Sequence, residues 1–324
     1  MEGLHRSIFP GKDAVRLFVA DAHCDTLYAL AIEGRRTGDC AVTRNALEAG
    51  GVGLQTFALF AGRKGPKGTP YADGLAMMAA APTVGVDFIT GRLPEQPPET
   101  PTGIYSCEGG EMFEGSVQRL AEFQKQIKLR MVALTWNFEN EIGFPAKEGP
   151  RPGLKPFGFK LLHAMDRHGI LPDVSHLNET GFWDVCDHAA LPPIASHSDC
   201  RWLCDVPRNL RKEQVKAIVE RGGFIGINFY SYFLKEDGAA TLDDAVRHID
   251  EMCSLGAEHV LGFGSDFDGI EAWPEGLGDP TGFPVLLDAL RKRGYSEQTL
   301  ADIAGLNLWN LLKRAERQAA RHRS

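Results

Sequence analysis

The chain reads as a single (β/α)8 barrel of the TIM type, and three observations point there. Apolar runs of strand length recur about eight times with helical patterns between them. The runs are near-continuous rather than alternating, as in parallel strands buried on both faces. Residues able to do chemistry fall repeatedly at the carboxyl ends of those runs, where barrel enzymes build their sites. A length of 324 residues suits one such unit, since barrels of this kind take about 250 residues. The expectation is one domain over 1–324, with a lead-in at 1–16 and closing helices at 283–315. An open doubly wound sheet is disfavoured, because Gly51-Val52-Gly53 is followed by Thr56 where a dinucleotide fingerprint requires a third glycine.

The first run, from residue 19, delivers His23 and Asp25. Two apart on an extended chain, an imidazole and a carboxylate point to the same side. Residues 51–60 form the second strand, followed by a Gly-, Pro- and Lys-rich loop and a short helix near 72–81. Pro94, Pro97, Pro98 and Pro101 then bar regular structure. A third strand near 103–107 runs into Glu108, and the segment 114–129 spaces Val117, Leu120, Phe123 and Ile127 as a helix lying on a sheet. Residues 131–135 make the fourth strand. The loop over 141–157 is long enough to be expected to cover a site. A helix at 158–168 leads to the fifth strand, 170–174, ending at Ser175-His176; a helix at 180–189 leads to the sixth, 193–196, ending at His197-Ser198. The helix over 210–221 stops at Gly222-Gly223, the seventh strand is 224–229, and Thr241 caps a helix that buries Val246, Ile249 and Met252. The eighth strand, 259–264, delivers Asp266.

His23, Asp25, Glu108, His176, His197 and Asp266 thus share one end of the barrel. Singly, each has an ordinary reading as a satisfied core histidine, a helix cap or a turn residue. Together they predict a metal site. Three imidazoles and their carboxylates exceed what one tetrahedral ion needs and suit two ions bridged by a carboxylate. Zn²⁺ matches the mixed nitrogen and oxygen donors, and Mn²⁺, Fe²⁺ or Co²⁺ share those ligand types. Paired ions can share a hydroxide and polarise a carbonyl, so hydrolysis of an amide, ester or related bond is implied. Ser175, Ser196 and Ser198 sit beside histidines, but neighbours on a strand face opposite ways and no Gly-x-Ser-x-Gly elbow occurs. Cys24 should point away from the ligands on either side of it.

Composition narrows the partners. A net charge of −8 disfavours binding to nucleic acid or anionic membranes, and a small molecule fits better. With 43% hydrophobic and 24% charged residues the chain is ordinarily globular. No secretory or membrane-spanning run is evident, and seven scattered cysteines suit reduced thiols, so the expected location is cytoplasmic. Cys200 and Cys204 read as structural.

The series His23-Cys24-Asp25, Glu108-Gly109-Gly110, Asp173-Val174-Ser175-His176, Ser196-His197-Ser198, Arg208-Asn209 and Gly264-Ser265-Asp266-Phe267-Asp268-Gly269 resembles the membrane (renal) dipeptidase family of zinc peptidases, over about residues 18–312. The resemblance implies a binuclear zinc dipeptidase in an amidohydrolase-type barrel: His23 and Asp25 on one zinc, His176 and His197 on the other, Glu108 bridging them. Asp266 would hold the substrate's free amino group and could pass a proton from the attacking water to the leaving amine; a carboxylate can do either, and the sequence does not separate the two roles. Arg208 would bind the terminal carboxylate, to which a guanidinium is suited, and Tyr230 would line the pocket. One departure stands out. Where many members carry a histidine after Leu-Thr on the fourth strand, this chain has Trp136-Asn137, and an indole donates one hydrogen bond without carrying charge. Trp136 and Asn137 are therefore candidate substrate contacts, and the alternative substrates are a lactam or an N-acyl amino acid. A third reading is a barrel that binds peptide or metal without turnover. Secretion, lipid anchoring and disulfide linkage, found in mammalian relatives, are not expected here; a homodimer is compatible with the family.

Overall fold

The computed structural model describes residues 17–60, 68–146 and 151–321, so the expected lead-in at 1–16 lies outside the described residues. Among the described residues nine parallel strands form one sheet: β1 (Val19–Asp21), β2 (Val52–Phe60), β3 (Asp87–Phe88), β4 (Thr102–Glu108), β5 (Met131–Ala133), β6 (Leu171–Asp173), β7 (Ile194–Ala195), β8 (Phe224–Ile227) and β9 (Leu261–Phe263). β1 pairs with both β2 and β9, and β2 pairs with β4 from Leu54↔Thr102 to Phe60↔Glu108, which closes eight strands into a ring. All nine residues of β2 are buried: one face looks into the barrel and the other lies under helices.

The ninth strand was not anticipated. β3 pairs Asp87 with Thr102 and Phe88 with Gly103 on the early part of β4, while β5 takes the later part from Ser106↔Met131. A strand of two residues is too short to show periodicity. Its place depends on Gly103, where a side chain would run into the Phe88 ring. Helices at Thr26–Ala31, Arg44–Gly50 and Ser231–Leu234 were also unanticipated, being short. The expected helix at 72–81 is Pro70–Ala80, and Thr241 caps Leu242–Cys253 as expected, its hydroxyl accepting from the Asp244 N–H.

The closing helices show the largest local difference. Within the closing helices expected at 283–315, the second half is interrupted: Glu297–Ala301 is followed by a π-helical turn at Asp302–Leu306 and then by Asn307–Arg321. Gly305 explains the irregularity: the turn lies directly on the backbone of Phe18 and Ala20, where no side chain would fit. The last helix then passes under the barrel. Its Leu308, Trp309, Leu311 and Leu312 form one apolar cluster with Ala20, Leu54, Ile104, Met131, Leu171, Ile194 and Phe224, one residue from each of seven strands. That plug seals the end opposite the strand carboxyl termini, leaving the other end to loops.

His248 is among the polar groups built into the core. It is 1% exposed; its Nδ1 accepts from the Cys200 N–H at 3.0 Å and its Nε2 donates to the Leu234 carbonyl at 3.0 Å. Burial pushes its pKa down to about 4 from 6.5, outweighing Asp244 and Glu251. Below pH 6.5 the unfolded chain takes up a proton that the folded chain refuses until about pH 4, so stability is full above 6.5 and falls as pH drops through that window. The expected loss is on the order of 3 kcal/mol. Denaturant titrations between pH 7 and 4.5 check it, with the slope flattened in His248→Gln.

Candidate metal and active site

Each predicted ligand stands at a strand end, and main-chain bonds lock those ends together. The Asp25 N–H donates to the Phe267 carbonyl at 2.9 Å, and the Asp266 N–H to the His23 carbonyl at 3.2 Å, tying the loop after β1 to the loop after β9. Glu108 is the last residue of β4, level with Phe60 and Ala133 on its neighbours. His176 and Asp266 both adopt left-handed backbone conformations, with φ of 67° and 65°. Such geometry is uncommon away from glycine and tends to be kept at functional sites.

The structure brings all six predicted residues into one buried cluster. Glu108 is its centre: Oε1 lies 2.9 Å from His176 Nε2 and 3.5 Å from His197 Nε2, while Oε2 lies 3.4 Å from His23 Nε2. His23 Nε2 is also 3.5 Å from Asp25 Oδ2 and 3.7 Å from Asp266 Oδ1. Two groups emerge, His23, Glu108 and His197 in one and His23, Asp25 and Asp266 in the other, each with donor atoms converging within 4.8 Å.

The donor set fits metal cations. Among the described residues, His23 Nε2 and Asp25 Oδ1 are buried with no hydrogen-bond partner. His176 Nδ1 lies 3.0 Å from the Asn137 side-chain oxygen, an acceptor, so the proton is on Nδ1 and the Nε2 lone pair faces Glu108. His176 Nε2 and His197 Nε2 approach to 3.0 Å, so lone pairs and carboxylate oxygens meet with too few protons to share. Burial alone would disfavour charge on His23, but the Glu108 and Asp25 carboxylates hold its pKa well above 6.5. Burial and then Glu108 push Asp25 up to about 7, and burial raises Asp266. His176 falls to about 4 through burial and the Arg208 charge. The cluster is short of positive charge at its centre, which divalent ions on nitrogen and oxygen donors would supply.

Of the predicted substrate contacts, Arg208 meets the main chain of the candidate ligand His197. It is buried; Nη2 reaches the His197 carbonyl at 3.3 Å, Nη1 the Ser198 hydroxyl at 3.4 Å, and Nε has no partner among the described residues. It faces a cleft of about 510 Å³ that runs from His176 past Asn178 to Trp183 and Arg151. Trp136 lies between Phe60 and Phe138, its ring 6.3 Å from that of His176. Asn137 is placed on the outer nitrogen of His176. Tyr230 is half-buried, with its hydroxyl donating to Glu271 at 2.7 Å. The loop after β5 does reach the site, since the Ala146 N–H donates to the His176 carbonyl at 2.8 Å; residues 147–150 of it lie outside the described residues.

Three further residues were missed. Asn228, fully buried one residue beyond β8, donates from Nδ2 to Asp266 Oδ2 at 3.0 Å. A polar residue ending the apolar run Phe224–Ile227 was the signal. Asp173 and Ser196 form a hydrogen-bonded pair beneath His197. The expectation that Ser196 faces away from His197 is overturned, for its Oγ lies 2.7 Å from His197 Nδ1. β7 ends at Ala195, so strand alternation no longer governs the next two residues. Cys24 is fully buried, accepting from the Thr26 hydroxyl at 3.4 Å, and all seven cysteines are unpaired thiols.

Residues 99–324 match the membrane dipeptidase family, peptidase family M19. That segment excludes His23 and Asp25, which only the fold brings to the others. An uncharacterized protein in the pqqA 5′ region of Klebsiella pneumoniae is 37% identical over 225 residues, covering 66% of this chain and 82% of that protein. Dipeptidase tcpJ of Claviceps purpurea is 32% identical over 254 residues, covering 77% of this chain and 57% of that protein, so the chain spans little more than half the length of that fungal relative. Among solved structures, a metallo peptidase from Rhodobacter sphaeroides liganded with a phosphinate mimic of the dipeptide L-Ala-D-Ala superposes with a TM-score of 0.83 at 25% identity, covering 94% of this chain and 100% of that one. A dipeptidase of family M19 gives 0.82 at 25% identity, covering 93% and 99%.

Proposed function

The chain belongs to the membrane dipeptidase family, peptidase family M19, as a metal-dependent dipeptidase, and we propose that two zinc ions serve it, His23 and Asp25 on one, His176 and His197 on the other, Glu108 between. The observation that carries this reading is the reach of Glu108, whose two oxygens address opposite halves of the cluster at 2.9 Å and 3.4 Å. When bound, a divalent pair of this kind activates a water and polarises the scissile carbonyl.

The remaining steps belong to the chain's own groups. Asn228 holds Asp266 Oδ2, and Oδ1 faces the cluster 3.7 Å from His23 Nε2. Asp266 takes the free amino group of the dipeptide, accepts the proton of the attacking water and returns it to the leaving amine; burial, which raises its pKa, favours a carboxylate that can carry a proton. Arg208 binds the C-terminal carboxylate, since its guanidinium is buried with one nitrogen unpartnered and two long contacts. The second side chain then lies in the cleft beyond His176, and Trp136 with Phe60 walls the site beside that ring. The Rhodobacter sphaeroides structure liganded with a dipeptide mimic supports the same substrate class.

Trp136 in place of the family histidine favours a second reading, a binuclear hydrolase of another amide such as a lactam or an N-acyl amino acid. One experiment separates the two: zinc content of the purified protein, measured with turnover of free dipeptides and their N-acetylated counterparts. The dipeptidase reading expects bound zinc and N-acetylation reducing kcat/KM by about a hundredfold, as loss of a charged hydrogen bond would. Faster turnover of the N-blocked series overturns it. No described helix is long and apolar enough to cross a membrane; the seven unpaired cysteines support a reducing, cytoplasmic setting.

A further inference from the structure

Beneath His197 lies a polar chain that the hydrolytic reading does not use. Asp173, last residue of β6, is 3% exposed, and Ser196, just past β7, is 1% exposed. Asp173 Oδ1 accepts the N–H groups of Ser175 and Ser196, each at 3.0 Å, and its Oδ2 accepts the Ser196 hydroxyl. The same hydroxyl oxygen sits 2.7 Å from His197 Nδ1. A second serine braces the turn: Ser175 Oγ accepts the His197 N–H at 3.2 Å.

Donor and acceptor accounting gives this chain a direction. A hydroxyl has one proton, and Ser196 commits it to Asp173, a carboxylate on which three donors converge. The Ser196 oxygen can then only accept from the imidazole, so His197 carries its proton on Nδ1. Its Nε2 lone pair is therefore turned toward Glu108 and His176 Nε2, 3.5 Å and 3.0 Å away. The order is the reverse of a serine nucleophile's, in which the imidazole stands between hydroxyl and carboxylate. Here the hydroxyl stands between, is buried, and is engaged on both sides, so it relays an anionic charge to the imidazole.

We propose that Asp173, acting through the Ser196 hydroxyl, is a positioning residue that holds His197 in the Nδ1-protonated tautomer and strengthens Nε2 as a metal donor. His176 differs, because its Nδ1 donates to a neutral amide, that of Asn137. The two imidazoles thus present unequal donors, with His197 the more electron-rich. Partners that orient a metal-bound histidine in this way commonly contribute ten- to a hundredfold in metal affinity. The tautomer assignment concerns the protein alone, whereas the affinity consequence rests on the metal reading above.

The test uses the full chain in two measurements. The first is long-range 1H–15N correlation of the imidazoles in metal-stripped protein, which reports each tautomer directly. The second is zinc affinity by competition with a chromophoric chelator. The wild type should show His197 protonated on Nδ1; Ser196→Ala should give a mixture of tautomers and weaken the tighter zinc site about ten- to a hundredfold. Ser196→Thr, which keeps the hydroxyl, should recover both. Asp173→Asn should match Ser196→Ala, and the double variant should be no worse than either, as for two members of one chain. Because Asp173 also holds two main-chain N–H groups, the serine variants decide the matter if Asp173→Asn fails to fold. A wild-type His197 protonated on Nε2, or zinc affinity unchanged in Ser196→Ala, overturns the proposal. Wild-type protein with the expected tautomer but no zinc affinity overturns the zinc reading and leaves the tautomer assignment standing.

Discussion

Glu108→Gln should lower dipeptide hydrolysis by about a thousandfold or more, corresponding to roughly 4 kcal/mol of transition-state stabilisation, and on the two-zinc proposal the variant should lose on dialysis the metal that the wild type is expected to keep. Glu108 alone among the cluster residues reaches all three imidazoles, at 2.9, 3.5 and 3.4 Å. Glutamine fills the same space but offers one acceptor oxygen and an NH₂ group that repels a cation. The fold should survive. Glu108 is one of the charges that push Asp25 up to about 7, so its neutralisation relieves repulsion among buried carboxylates. Metal analysis, circular dichroism and kcat/KM on one preparation check all three points. A zinc-loaded variant with wild-type kcat would sink the bridging assignment.

Arg208→Met should lower kcat/KM for dipeptides by about a hundred- to a thousandfold, roughly 3–4 kcal/mol, with most of the change in KM. Its side chain packs over Phe233, 5.4 Å from the ring centroid, and methionine retains that apolar stem. Stability should move the other way. A guanidinium buried with an unpartnered Nε and two contacts of 3.3 and 3.4 Å is held at a cost in the free protein, which substrate carboxylate would relieve. Thermal unfolding without substrate should therefore occur at an unchanged or higher temperature in the variant. Dipeptides amidated at the C-terminus supply the control: the wild type should discriminate strongly against them and Arg208→Met hardly at all. Equal discrimination in both proteins would place the carboxylate elsewhere. Arg208→Lys should recover little, because a single ammonium cannot reproduce the planar fork.

The barrel and the gathering of the six candidate ligands at one rim were legible because both are local patterns. β2 is a nine-residue run that is apolar or small apart from Gln55, and Glu108 is the polar residue that ends β4; strand and candidate ligand are read from the same few positions. His23, Asp25, His176, His197 and Asp266 follow the same rule, since a parallel barrel sends every strand's carboxyl end to one rim. Short or context-held elements escaped. β3 spans two residues and depends on Gly103 of another strand, and the π-helical turn at Asp302–Leu306 depends on the backbone of Phe18 and Ala20 beneath Gly305.

By itself, then, the sequence determined the order of strands, the face on which chemistry collects and the six residues brought there, because apolar runs and the polar residues ending them are set along the chain. Tertiary structure decided what each of those groups is bonded to. Asp173 meets Ser196 across 23 residues and Asn228 meets Asp266 across 38, through strand register and turns past the strand ends. Whether Ser196 faces His197, which nitrogen of that ring carries the proton, and whether Arg208 lies buried beside the site are matters of three-dimensional register, because a hydrogen bond depends on distances of a few tenths of an ångström that no residue spacing encodes.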